Sequence, residues 1–399
     1  MASLLTLEEA QRRVLERAAP LSGELVPVAR AAGRIVLEDV LARVDLPPFT
    51  SSAMDGFAVN AADLPATLEI VGESAAGRPF DLPLGRGGAV AISTGAVVPA
   101  DANAVVQIEN VVQYDNTVEI SQEVEPGAHI RPRGGDTAAG DVVVPAGGRL
   151  TPARIAAAAA SGVAELKCAR RPRVAVLPTG SELVDPGGTL RPGQIYETNG
   201  LMLSSVLAAA GAEVVSHPPV VDDEGAMREA LERGLAADVL VTSGGVSVGE
   251  HDLVRSVERE LGVEEIFWRV SIKPGKPVSF GVRGDTLVFG LPGNPVSALV
   301  GCELFVMPAL RALQGVADPL PRFEPGTLAS GLRRNRERDE FVRARSQVDG
   351  EALVLEPVTG QESHMIVRSA AADALVHIPR GNGELPAGST VRWLRLATG

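Results

Sequence analysis

The chain has 399 residues, too many for one ordinary core, and its 45% apolar and 22% charged residues describe two to four globular domains rather than a disordered chain. A net charge of −13 and a pI near 5.0 deny it the basic face that non-specific nucleic-acid binding needs, while leaving room for a local anion pocket. Two distant cysteines, Cys168 and Cys302, make neither a disulfide framework nor a zinc spacing and point to a reducing cytoplasm; five histidines with no H-x-x-x-H pair argue against a histidine metal site.

The N-terminus lacks the basic start of a signal peptide, and no run approaches the roughly 20 apolar residues of a membrane span, so no membrane partner is expected. Thr6 opens a helix, with Glu9 three residues on as a capping box. "ELVPVARAAGRIVLEDVLARVDLPPF" predicts a short strand and a second helical piece, stopped by Pro47-Pro48. Over 46–139, short apolar runs such as "AVVQIENVVQY" and "NTVEISQEV" alternate with Gly and Pro, the pattern of a β-rich unit. "TPARIAAAAASGV" predicts a helix with Thr151 at the N-cap and Pro152 at its first position. The simplest arrangement joins 1–45 and 140–172 as a helical N-terminal domain, with 46–139 inserted as a β-rich domain.

Residues 173–320 alternate strand and helix. "RVAVLPTG", "AEVVSHPPVV", "DVLVTSGG" and "TLVFGLPGNP" are strands; "TNGLMLSSVLAAAG", "EGAMREALERGLA", "EHDLVRSVERELG" and "PVSALVGCELFVMPALRALQG" are helices. This rhythm predicts a doubly wound α/β domain with a parallel sheet covered on both faces. Residues 321–399 lose the helical pattern and predict a small C-terminal β domain with hairpin turns.

Ligands of an open parallel sheet sit beyond the carboxyl ends of its strands. Four polar or glycine-rich loops belong there: "PTGSEL" (178–183), "TSGGVSVGEHD" (242–252), "KPGKP" (273–277) and "GLPGNP" (290–295). In the second, Gly244 and Gly245 permit close backbone approach, and Ser243 and Ser247 offer hydroxyls. Glu250 and Asp252 offer carboxylates for Mg²⁺, or simply cap the next helix. No G-x-x-x-x-G-K-[ST] occurs, which disfavours P-loop hydrolysis. The third loop carries Lys273 and Lys276, two of only three lysines in the chain. A compact ammonium suits phosphate or oxyanion oxygens, the prolines stiffen the loop, and a chain that elsewhere prefers arginine had no need of lysine for a solvated turn. In "PPFTSSAMDGFAV", Asp55 is a metal or proton carboxylate, or an Asx-turn residue before Gly56; Thr94 in "ISTGAVVP" and Asp136 in "RPRGGD" carry the same two readings.

Together, "PPFTSSAMDGFAV", "STGAVVP", "RPRGGD", "VLPTGSEL", "GQIYETN", "VTSGGVSVGEHD", "IKPGKPVSFG" and "GLPGNPVSALV" resemble, in family order, the molybdopterin molybdenumtransferase family of MoeA type, to which the gephyrin E domain is related. The resemblance implies a cytoplasmic, elongated homodimer of four domains per chain. Its α/β domain would be like the MogA-type molybdopterin adenylyltransferase, and its C-terminal domain β-barrel-like. It implies an enzyme that inserts molybdate-derived metal into adenylylated molybdopterin with Mg²⁺-dependent release of AMP, and it makes the preceding adenylyltransferase a candidate partner. The site would lie between the α/β domain and the "SAMDGFA" region of the other subunit.

Carried over by motif, the catalytic set is Asp55, Asp136, Glu182, Asp252, Lys273 and Lys276. Thr94, Gly180, Ser243, Gly244, Gly245, Ser247, Gly249, Pro292, Asn294 and Pro295 would bind the pterin nucleotide, and Glu182, Glu250 and Asp252 the Mg²⁺. Asp222 or Asp223 matches a family "DD". The chain departs from the family at Ser181 (often Asp), Gly135 (often Glu) and Arg269 (Lys in some members), and "QESHMIVRSAAADAL" matches loosely enough to leave Ser363 and Ser369 outside the set. Two other functions fit parts of the chain. An adenylyltransferase fits the α/β domain but not the "SAMDGFA" unit or the length. A gephyrin-like scaffold fits the architecture but has no need of the lysines, glycine loop and acids retained here.

Overall fold

The structure, a computed structural model, describes residues 4–245, 253–350 and 352–396. Ser247, Gly249, Glu250 and Asp252 lie outside the described residues. The chain divides into two compact units: residues up to 24, 33–37 and from 168 onward form one, and 25–32 with 38–167 form the other.

Helix α1 (Leu7–Leu15) belongs to the first unit and starts at Thr6, whose hydroxyl accepts from Glu9 N at 3.2 Å. The Glu9 carboxylate turns to Arg12 and Arg13, so only half of the capping box forms. The second helical piece expected before Pro47 does not form. Only a 3₁₀ turn, Val28–Arg30, follows Gly23–Pro27; Gly33 takes φ 73°, which no right-handed helix accommodates; and Val40–Leu41 pairs with Val142–Val144. β-branched residues there are used in pairing rather than in a turn of helix.

The second unit is built on a six-stranded sheet of β1 (Gly56–Val59), β2 (Ala66–Ser74), β3 (Gly88–Ile92), β4 (Ala104–Gln107), β5 (Val112–Gln113) and β6 (Thr117–Ile120), in the order β4-β1-β3-β2-β6-β5. Both faces are covered: Phe57 and Val59 join one cluster, Ala58 and Val90 another. Helix α2 (Pro152–Ala160) begins as read, with Thr151 accepting from Arg154 N at 3.4 Å.

The first unit holds β7 (Arg173–Pro178), α3 (Asn199–Ala209), β8 (Glu213–Ser216), α4 (Glu224–Gly234), β9 (Val239–Ser243), α5 (Leu253–Glu260), β10 (Glu264–Trp268), β11 (Ser279–Arg283), β12 (Thr286–Leu291) and α6 (Pro295–Leu313). The sheet order is β8-β7-β9-β12-β11-β10. Val174 and Val176 face α1, α3 and α6, while Ala175 and Leu177 face α4 and α5, so these strands read as unbroken apolar runs. The first four strands in this order are parallel, but β11 runs antiparallel to both of its neighbours, β12 and β10, a correction to the all-parallel expectation. Gly284 and Asp285 alone join β11 to β12, and a parallel connection needs a crossover many times longer. Helix α6 is long and apolar enough to cross a membrane, yet 89% of its apolar window is buried, as the central helix of this core.

The C-terminal strands β13 (Glu324–Leu328), β14 (Asp339–Asp349), β15 (Ala352–Pro357), β16 (Ala374–Ile378) and β17 (Thr390–Arg395) close into a five-stranded barrel in the cyclic order β14-β15-β13-β17-β16. Its interior is filled by Val342, Ala344, Leu355 and Trp393. Closure leaves the barrel no free edge within those five strands.

Candidate functional site

The parallel strands β7, β9 and β12 end side by side, and the loops that follow them bound a cleft of about 690 Å³ in the first unit. Gly180, Glu182, Ser243, Gly244, Gly245, Pro292, Asn294 and Pro295, all singled out from sequence, line it. The cleft lies where the order reverses from β8-β7 to β7-β9, the switch point of a doubly wound sheet.

Backbone geometry explains the glycines. Gly244 has φ +101°, and a Cβ there would stand 2.4 Å from Thr179 O; Gly245 has φ +63°, with a Cβ 2.2 Å from Val254 Cγ2. Neither contact is tolerable, so the loop after β9 lies flat against its neighbours only because both side chains are missing. Helix α6 starts at Asn294, whose amide donates to Ser363 Oγ at 3.0 Å rather than capping the helix; Val296 N donates to Ser363 O at 3.1 Å. Ser363, left out of the set by sequence, therefore ties the 361–366 segment to the cleft rim, and His364 and Ile366 of that segment line the cleft. Ser369 plays a different part: it is buried and receives a hydrogen bond from Arg343. That arginine, 1% exposed, also donates to Gly360 O, Glu362 O and Met365 O, and burial lowers its pKa.

The adjacent aspartates separate cleanly. Asp222 lines the cleft and exchanges hydrogen bonds with Ser181: Ser181 N donates to its carboxylate at 3.2 Å, and its own N–H donates to Ser181 Oγ at 2.9 Å. Asp223 caps α4 by accepting from Ala226 N at 2.9 Å.

Glu197, Asn199 and His364 are among the cleft residues that the sequence assignment left out. The signal for two of them lay in "GQIYETN", a matched motif from which no site residue was drawn. Glu197 is buried and accepts from Gly200 N at 2.7 Å. The Asn199 amide donates to Ser243 Oγ and to Gly293 O, both at 2.8 Å, tying the loop after β9 to the loop after β12.

Of the "KPGKP" loop, Pro277 reaches the cleft wall. Lys273 Nζ sits 2.9 Å from Glu340 Oε1 on β14, and Lys276 is exposed with no ion pair among the described residues. In the second unit, Asp55 and Thr94 are adjacent, Thr94 N donating to Asp55 Oδ1 at 2.7 Å. Asp136 is exposed on a loop whose N–H bonds to Leu46 O at 2.9 Å. That loop is pinned by Asp45, which accepts from Ala139 N and Arg133 Nε; these bonds hold its pKa below the ordinary value. Among the described residues no three His, Cys, Asp or Glu side chains converge to hold a metal ion.

Comparison with known proteins assigns these motifs together. Three family models match in succession: "MoeA N-terminal region (domain I and II)" over 5–162, "Probable molybdopterin binding domain" over 175–312, and "MoeA C-terminal region (domain IV)" over 325–396. A molybdopterin molybdenumtransferase of Haemophilus influenzae is 36% identical over 97% of this chain and 98% of its own length. Molybdopterin molybdenumtransferase 2 of Mycobacterium tuberculosis is 38% identical over 97% of this chain and 98% of its own. The crystal structure of a molybdopterin biosynthesis MoeA protein from Pyrococcus horikosii superposes with a TM-score of 0.84 at 32% identity, covering 100% of both chains. With the matched models spanning 5–396 and similarity of this extent along its length, the chain belongs to the MoeA family of molybdenum cofactor biosynthesis.

Proposed function

We propose that this chain is a molybdopterin molybdenumtransferase that seats adenylylated molybdopterin in the cleft, cleaves its pyrophosphate bridge with water to release AMP, and passes the metal of molybdate to the dithiolene. One observation carries the reading: the cleft of about 690 Å³ sits at the carboxyl ends of β7, β9 and β12, lined by the segment matched as a molybdopterin binding domain together with His364 and Ile366. The Gly244-Gly245 turn presents backbone rather than side chain to a ligand, which suits close approach of a phosphate. Lys276, exposed beside Pro277 at the rim, supplies a cation to a substrate carrying several negative charges.

When bound, Mg²⁺ would neutralise the bridging phosphates. Glu182, on the cleft lining, would help to hold it, and the other two carboxylates read from sequence, Glu250 and Asp252, lie outside the described residues. We further infer a cytoplasmic homodimer. In support, Leu41, Phe49, Met54 and Val142 of the second unit are exposed, apolar chemistry suited to a second copy.

The test is to supply purified protein with adenylylated molybdopterin, molybdate and Mg²⁺ and to follow AMP. Metal-dependent AMP release with formation of active cofactor is expected. Net ATP consumption with free molybdopterin, and no AMP release from the adenylylated form, would replace this reading with an adenylyltransferase. Light scattering on the same preparation reports whether the protein is dimeric.

A further inference from the structure

Asn199 is 8% exposed and lines the cleft, yet its Oδ1 is buried with no hydrogen-bond partner among the described residues. The orientation of the amide is determined by its surroundings. Gly293 O is a pure acceptor 2.8 Å away, so the nitrogen must point at it; the second N–H goes to Ser243 Oγ, also at 2.8 Å. Both donors are thus consumed by the two loops that frame the cleft, and the oxygen is held rigidly as a lone acceptor. A buried, unpaired acceptor is costly, and one on a cleft wall is satisfied when a bound molecule brings it a donor.

The neighbouring chemistry narrows that donor. Pro178 packs on Gly200, the next residue along, close enough that a Cβ there would meet the ring at 2.6 Å; Pro292 precedes the Gly293 carbonyl that Asn199 holds. Both prolines line the cleft and offer flat apolar faces to a planar ring. The ionisable side chains on the same lining are Glu182, Glu197, Asp222, His364 and Tyr196, the last with its hydroxyl donating to Gly188 O at 2.9 Å; no lysine or arginine is among the described lining residues. Three carboxylates repel phosphate and accept hydrogen bonds from N–H groups.

We propose that Asn199 is a specificity-determining residue whose Oδ1 accepts a hydrogen bond from an N–H of an amine-bearing fused heteroaromatic ring, so that this part of the cleft takes the heterocyclic rather than the phosphate end of the substrate. The inference rests on the reading of the cleft as the pterin-nucleotide site. Because that substrate carries two such rings, the pterin and the adenine, the donor chemistry is common to both and the experiment separates them.

Equilibrium binding to the full chain is measured by calorimetry with two pairs of probes: AMP against purine riboside 5′-monophosphate, and pterin against 2-desaminopterin. Wild type is expected to favour the amine-bearing member of one pair by roughly tenfold or more, and the pair that discriminates names the ring. Asn199→Leu is expected to lose that preference, the amine-bearing and desamino probes then binding with equal affinity, and measurable binding of the desamino probe reports that the cleft is intact. Asn199→Ala, which removes the oxygen without adding bulk, is likewise expected to lose the preference and carries the comparison if the leucine variant does not fold. Equal affinity of wild type within both pairs, or a full preference surviving in Asn199→Leu, overturns the proposal. AMP release by wild type is scored separately: turnover without ring discrimination sinks this inference alone, and absence of turnover sinks the functional reading while the binding comparison still stands.

Discussion

Lys273 and Glu340 are in register on parallel neighbouring strands, and Lys273 Nζ lies 2.9 Å from Glu340 Oε1. One lysine of the "KPGKP" loop is thereby engaged with the C-terminal barrel, while the other, Lys276, makes no ion pair among the described residues. The two lysines sit three residues apart but in different electrostatic situations.

Their variants should therefore differ. Lys276→Ala is expected to raise KM for the adenylylated substrate about tenfold, the loss of one favourable charge contact, and to flatten its salt dependence. Lys273→Ala removes a cation and also strips Glu340 of its partner, so its effect should be larger. Adding Glu340→Gln should restore part of it, a coupling that a double-mutant cycle measures. Wild-type turnover in Lys273→Ala/Lys276→Ala would refute any part for these ammonium groups.

Gly244→Ala places a Cβ 2.4 Å from Thr179 O at φ +101°. The backbone must shift, at about 2–4 kcal/mol, in the turn that borders the cleft. Urea unfolding should report that loss, with substrate binding weakened in parallel.

The aspartate pair offers a clean separation of stability from function. Asp223→Ala removes the cap of α4 and should cost about 1 kcal/mol with turnover retained. Asp222→Ala should lower turnover with a smaller stability change, because its carboxylate faces the cleft. The reverse pattern would show the assignment to be inverted.

Arg343 gathers Gly360 O, Glu362 O, Met365 O and Ser369 Oγ around one buried guanidinium. Arg343→Met leaves those acceptors unpaired and should cost about 3–5 kcal/mol. Hydrogen exchange should rise first in 360–369, the segment that brings Ser363 and His364 to the cleft. Lysine should not rescue it, since one ammonium cannot span the same spread of acceptors.

His377 supplies a pH dependence. Burial lowers its pKa, Asp339 opposes the shift, and Arg392 adds to it; Phe341 stacks on the ring at 5.1 Å. Because the folded pKa lies below the unfolded one, the unfolded chain binds the proton more readily. Stability is then fully present above the unfolded histidine pKa, about 6.5, and is lost as pH falls from there through the folded pKa. Unfolding midpoints between pH 7.5 and 5.5 should fall more in wild type than in His377→Gln. His217, also shifted down by burial, contributes in the same direction and remains in both proteins.

Local pattern carried much of the fold. Thr151 followed by Pro152 announces α2 because a cap and a ring-locked φ are properties of adjacent residues. The apolar runs of β7 and β9 announce a sheet buried on both faces because each successive side chain enters one cluster or the other. Residues 28–45 misled because their apolar spacing suits a helix as well as extended segments, and only Val142–Val144, a hundred residues on, decides between the two.

By itself the sequence determined which loops could form a site, since chain order alone places 178–183, 242–245 and 290–295 after parallel strands, and it carried the motifs that mark the family. Tertiary structure alone decided which side chains meet. Asn199 reaches Ser243 and Gly293 across 44 and 94 residues, Ser363 meets Asn294 across 69, and Lys273 is spoken for by a strand of the barrel. Periodicity and capping are nearest-neighbour properties that a chain states as it is read. Convergence depends on strand order and barrel closure, which are set by burying all the apolar faces at once.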